Sequence, residues 1–192
     1  MCDLLRAFPG WEAIKTTRGH YRSCGKDPHT CCVSHLLSDE PVIRSGHKET
    51  YAPGKDTGRY WDAGAANVHW LIATDNQVDR GIKQALQRVT SAGVFIEGNS
   101  FSEYVPVDAM IMMVRQSQTS VKRSAKIGLL KATALFVWRD MNEDSHPSEI
   151  VTTMLSGNNE LLARALKTPS YTAESFSDLV ISLRELERSV AA

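Results

Sequence analysis

The stretch YAPGKDTGRYWDAGAANVHWLIA, residues 51–73, decides how this chain is read. Pro53 and Gly54 set a tight turn, because proline fixes its own φ and glycine accepts backbone conformations that other residues avoid. Lys55 puts a point charge where an anion can approach, and Asp56 either caps the helical turn that follows or approaches a metal ion. Gly64 ends that short helix, and NVHWLIA, residues 67–73, is apolar enough for a buried strand. A phosphate-handling loop is built from these parts. Pro-Gly-Lys-Asp taken alone also suits an ordinary solvated turn.

Outward from this core, apolar strands alternate with amphipathic helices. Residues 2–8 read as the last turns of a helix stopped by Pro9-Gly10, and 11–17 as a strand. Residues 18–48 form a long Cys- and His-bearing insertion in which VSHLL suggests a short helix and PVIR a short strand. Downstream, the pattern predicts a helix over 79–91 closed by Gly93, the strand VFIE, a strand over 107–114, and a helix over 120–129. A strand over 132–138, a helix over 148–155 stopped by Gly157, and a docked terminal helix over 172–190 complete it. This order predicts one α/β domain over residues 1–192, a mostly parallel sheet with helices on both faces. Ligands of such sheets bind beyond the carboxyl ends of the strands, and Lys15, Glu97 and Asp140 lie in or just after such strands.

Lysine plus arginine number 22, as do aspartate plus glutamate, so net charge points to neither a nucleic-acid nor a membrane partner. No apolar run reaches the roughly 20 residues of a bilayer span and the first residues do not read as a signal peptide, so a cytoplasmic protein is expected. All four cysteines lie in the first 32 positions. Cys24, His29, Cys31 and Cys32 suit zinc or an iron-sulfur centre, although adjacent Cys31 and Cys32 do not easily share one tetrahedral ion. A reduced reactive patch and plain loop composition are the other readings. Trp61 and Trp70 are read as core or sheet-packing residues. His35, His47 and His146 carry no assignment, and His69 is read as satisfied by a neighbour.

Three segments, AIKTTRGHY (13–21), PGKDTGRYWDAGA (53–65) and VFIEG (94–98), occur in the order and spacing of a known family. Over roughly residues 8–115 the chain resembles the molybdopterin-guanine dinucleotide biosynthesis protein B family, P-loop GTP-binding proteins of molybdenum cofactor assembly. The resemblance implies a three-layer P-loop NTPase-like fold, GTP and magnesium binding, at most weak GTP hydrolysis, and a molybdopterin-type ligand. It also implies a partner role beside the guanylyltransferase that attaches the nucleotide. Lys55 and Asp56 would face the ligand, Glu97 would hold magnesium, Lys15 would meet an anionic group, and Gly98 would let the backbone approach closely. Thr16, Thr17 and Arg18 stand where the family carries histidines, with His20 nearby. Asp140 and Asn142 stand near the guanine-reading position, but WRDMNED is not the NKxD motif; Asp140 either accepts from a guanine edge or caps a turn. No GxxxxGK[ST] string occurs. The first strand and phosphate loop are therefore expected to be missing, through truncation or true degeneration. An unfilled sheet edge then predicts association, as in a homodimer. The alternative from another class is a metal- or redox-binding module on a degenerate P-loop fold, using the cysteine loop.

Overall fold

The computed structural model describes residues 1–19, 33–117, 121–139 and 145–191. Cys24, His29, Cys31, Cys32 and Asp140 lie outside the described residues. The chain divides into two compact units, Met1–Pro106 and Val107–Ala192.

In the first unit, α1 (Cys2–Ala7) turns at Pro9 and Gly10 into β1 (Glu12–Arg18). A 3-10 turn at Ser34–Leu36 precedes β2 (Val42–Ser45) and α2 (His47–Thr50). Then come α3 (Asp56–Asp62), β3 (Val68–Ala73), α4 (Val78–Leu86) and β4 (Val94–Glu97). The sheet order is β2-β3-β1-β4. Strands β1, β3 and β4 are parallel, and β2 runs antiparallel to β3. The link from β2 through α2 and α3 leaves and rejoins the sheet at one end, so it needs no crossover.

Alternation along the strands sends successive side chains to opposite faces. One face sends Ile14, Leu71 and Ala73 against Val78, Ile82 and Ala85 of α4. The other sends Ala13 and Val68 against Leu5 of α1 and Tyr60 and Ala63 of α3. This unit is thus three layers deep. Helix α4 is shorter than the 79–91 expected, because the Thr90 and Ser91 amides donate to Glu12 Oε1 at 2.8 and 2.9 Å. Gly93 is not its stop. A Cβ there would lie 2.2 Å from the Trp11 ring, so glycine allows strand and indole to approach.

Glu12 and His69 are both buried, joined at 2.7 Å through Glu12 Oε2 and His69 Nε2. An ionised carboxylate only accepts, so Nε2 donates and Nδ1 is left to accept from the Ser45 hydroxyl, 2.8 Å away. Arg88 reaches Ile43 O at 2.8 Å and Ser45 Oγ at 3.3 Å, completing a chain of donors across β2, β3 and β1. Burial pushes the Glu12 carboxyl up, and hydrogen bonds from His69, Thr90 and Ser91 outweigh it, so its pKa ends below the ordinary value.

The second unit contains β5 (Ile111–Arg115), α5 (Arg123–Lys131), β6 (Ala134–Trp138) and α6 (Pro147–Met154). It continues with α7 (Asn159–Lys167), β7 (Ser170–Tyr171) and α8 (Phe176–Ala191). Its strands are all parallel, in the order β5-β6-β7. The expected single sheet is therefore two sheets, one mixed and one parallel. Met112, Val114, Leu135 and Val137 pack with Leu129, Ile150, Val151 and Leu161. On the other face Phe136 meets Phe176 edge-on at 6.3 Å, while Met113 is 59% and Trp138 48% exposed. Helix α7 was not anticipated from the sequence, although Asn158 caps it by accepting from Leu161 N at 3.1 Å. His146, unassigned above, caps α6 in a reciprocal box with Glu149.

Candidate functional site on the first sheet

Lys15 of β1 lies opposite Glu97, the last residue of β4, so both side chains leave the same face. Asp56, the first residue of α3, reaches that face from above. The Lys15 ammonium sits 2.5 Å from Glu97 Oε1 and 2.8 Å from Asp56 Oδ2. Residues 41 and 82 positions apart along the chain from Lys15 thus meet on one cation. Partial burial pulls the Lys15 ammonium down, but its bonds to Asp56 and Glu97 more than reverse this and its pKa is raised. The Lys15 hydrogen bond holds the Asp56 carboxyl below its ordinary range, with Arg59 and Lys55 adding to the effect.

Local sequence fixes each partner. Thr16 Oγ1 donates to the Glu97 carbonyl at 2.5 Å. Gly98 has φ +134, and a Cβ there would stand 2.0 Å from Thr16 Oγ1. The glycine of VFIEG therefore allows close approach, and what approaches is the Thr16 hydroxyl. Helix α3 starts where it does because Gly58 nests against the Ala52 carbonyl, only 2.1 Å from an ideal Cβ. It ends in a Schellman turn, in which Ala65 N donates to Tyr60 O at 3.1 Å and Gly64 N to Trp61 O at 2.9 Å. Asp56 does not cap this helix. Lys55 is the capping position, it is exposed, and no side-chain cap bond forms.

The site brings together Lys15, Asp56 and Glu97, with Lys55 adjacent in sequence. Glu97 Oε2 is buried and has no hydrogen-bond partner among the described residues. An orphaned carboxylate oxygen beside a second carboxylate fits magnesium, which typically keeps most of its waters and takes only one or two protein carboxylates. No group of three or more His, Cys, Asp or Glu gathers as a fuller metal cage among the described residues.

The sequence marks Trp70 as a core or sheet-packing residue, and the structure gives it a place beside the site. It is half-buried in register with Lys15 on one side and Arg44 on the other. Its Nε1 donates to Thr17 Oγ1 at 2.9 Å, and the Arg44 guanidinium stands 5.9 Å from its ring centroid. The lateral register of three strands brought these residues together, and no local motif signals that. Trp61 instead donates to Thr50 Oγ1 at 2.8 Å and stays with the α2–α3 packing. Among the described residues no helix is long and apolar enough to cross a membrane. Comparison with family models, with curated proteins and with solved structures returns no match.

Proposed function

We propose that the chain is a nucleotide-binding protein that takes GTP with magnesium, similar in role to the accessory factor of molybdopterin guanine dinucleotide assembly. The observation that carries this reading is the convergence of Lys15, Asp56 and Glu97 on one face of the parallel sheet, beside the carboxyl end of β4, the side of the strands on which α/β sheets receive ligands. On this reading the fold is P-loop NTPase-like. The sequence has no GxxxxGK[ST] string, so these residues would meet the outer part of a phosphate chain, and its main cradle is not among them. Lys15 would contact a phosphate oxygen, Glu97 would hold magnesium, and Asp56 with Lys55 would face the ligand. A client enzyme that transfers the guanine nucleotide would be the partner.

The geometry sets a condition on binding. Lys15 is held by both carboxylates, so an anion must draw the ammonium from them and a magnesium ion must draw them from the ammonium. Each event eases the other, and by linkage the two raise each other's affinity by one common factor. Calorimetric titration of GTP with and without magnesium, and of magnesium with and without GTP, tests this. We expect equal enhancement in the two directions and a loss of about tenfold or more in GTP affinity for Lys15→Met, roughly 1.4 kcal/mol. Absence of GTP binding in the presence of magnesium, or binding indifferent to both Lys15→Met and Glu97→Gln, overturns the reading.

A further inference from the structure

We infer that Trp70 is the stacking platform of the same site, receiving a planar heteroaromatic ring whose anionic group reaches Lys15. The register supplies the geometry. Arg44 pairs with Trp70, Trp70 with Lys15, and Lys15 with Glu97, so the four residues form one row across β2, β3, β1 and β4. Laterally paired residues share a face, and neighbouring strands are about 4.8 Å apart. The row therefore presents a cation, an indole, a second cation and a carboxylate at regular intervals.

The indole is held for this task. Its Nε1 is committed to Thr17 Oγ1 at 2.9 Å, which fixes the ring plane, and the residue is only half-buried. The Arg44 guanidinium, 5.9 Å from the ring centroid, is near the outer limit of a cation–π contact. Two stacked contacts of about 3.5 Å each span about 7 Å, so an outward shift of about 1 Å opens room for a flat ring between guanidinium and indole. Both groups stack on heteroaromatic rings. Lys15 stands one strand away, which selects a ligand whose negative charge lies about 5 Å from the centre of its ring system. A ring with a short anionic arm meets that condition better than an extended triphosphate does. This assignment deepens the nucleotide-binding reading and rests on it for the anionic contact at Lys15.

The test uses the full chain and three probes: pterin-6-carboxylate, a flat bicyclic ring with its carboxylate attached directly; inorganic pyrophosphate, an anion with no ring; and GTP. The expected result is that pterin-6-carboxylate binds by calorimetry and quenches tryptophan fluorescence. Trp70→Leu should weaken it roughly 5- to 150-fold, the range for loss of one aromatic stack, while leaving pyrophosphate unchanged. Trp70→Phe should keep most of the affinity and reduce the quench to the share of the remaining tryptophans. Arg44→Gln leaves the indole in place and should weaken the ring-bearing probe more than the ring-free one. No binding of pterin-6-carboxylate to the wild-type chain, or equal affinity for it in the wild type and Trp70→Leu, overturns the platform. Binding of pterin-6-carboxylate that depends on Lys15 but not on Trp70 also overturns it, and leaves the nucleotide reading standing, which loss of GTP binding in Lys15→Met tests separately. Ring-dependent binding of the pterin without GTP binding supports the platform and retires GTP as the ligand.

Discussion

Truncating Glu12 to alanine should be among the most damaging single changes in the first unit, and its cost can be worked from the contacts. The carboxylate accepts from His69 Nε2, Thr90 N, Thr90 Oγ1 and Ser91 N. Thr90 is exposed and Ser91 half-buried, so water replaces the carboxylate there at about 1 kcal/mol per bond. His69 is 1% exposed, and leaving its Nε2 donor unpartnered adds about 1–3 kcal/mol. The sum, about 4–6 kcal/mol, overlaps the roughly 3–5 kcal/mol for removing one partner of a buried pair. Glu12→Gln should cost less, because its amide oxygen still accepts from Thr90 and Ser91, while His69 must switch tautomer and donate to Ser45. The charge is read by pH. Glu12 has a folded pKa below the unfolded value of about 4.3, so its contribution is complete above that value and disappears as pH falls through the folded one. Urea unfolding followed by circular dichroism between neutral and acid pH measures both effects. The wild type should lose its advantage over Glu12→Gln on acidification. A cost under about 1 kcal/mol for Glu12→Ala, or parallel pH profiles for wild type and Glu12→Gln, refutes the reasoning.

Gly98→Ala should destabilise by about 2 kcal/mol or more, from strain at φ +134 and the approach to Thr16 Oγ1. Adding Thr16→Ala should recover the steric part only, and a double-mutant cycle in urea separates the two. The raised pKa of Lys15 gives the opposite sign to that of Glu12: its contribution is complete below the unfolded value of about 10.4 and is lost as pH rises through the folded value. Lys15→Met should remove this alkaline dependence at a neutral-pH cost of about 1 kcal/mol, since Asp56 and Glu97 are part-exposed and screened; alkaline thermal melts check it. Among the described residues β4 pairs with β1 alone and β5 with β6 alone. Sedimentation velocity should then show concentration-dependent association that Met113→Lys reduces, a charge on an open strand being a known block to edge pairing.

How far the sequence was legible follows from the range of each signal. Local signals were read correctly. Pro9-Gly10 stops α1, the Gly64 turn ends α3, and the apolar runs gave β1, β3, β4 and β6. Errors came where a distant side chain competes with a local preference: α4 ends early because Glu12, 78 positions away, takes the Thr90 amide. The short β7 and the amphipathic α7 passed unnoticed, although the Asn158 cap before Leu161, Leu162 and Ala165 could have revealed the helix. Lys15, Asp56 and Glu97 belong to three separate segments, and the fold brings them to one point. That the partner of Lys15 would be two carboxylates at once, with Trp70 alongside, depended on lateral register, which no single segment encodes.

The two ionic clusters of the first unit differ in what opening them costs, and that difference argues for separate roles. Glu12 and His69 are dry and fully partnered, so breaking them strands a buried donor. Such a pair sets register between β1 and β3 and has no slack for a ligand. The Lys15 cluster is part-exposed, its ion pairs are screened by water, and one Glu97 oxygen has no partner among the described residues. Pairs of that kind contribute about 0–1 kcal/mol, so on the proposed reading a phosphate and a cation would exchange into them at little cost to the fold. The sheet thus carries a rigid lock near the amino ends of β1 and β3 and a looser cluster farther along β1, beside the carboxyl end of β4.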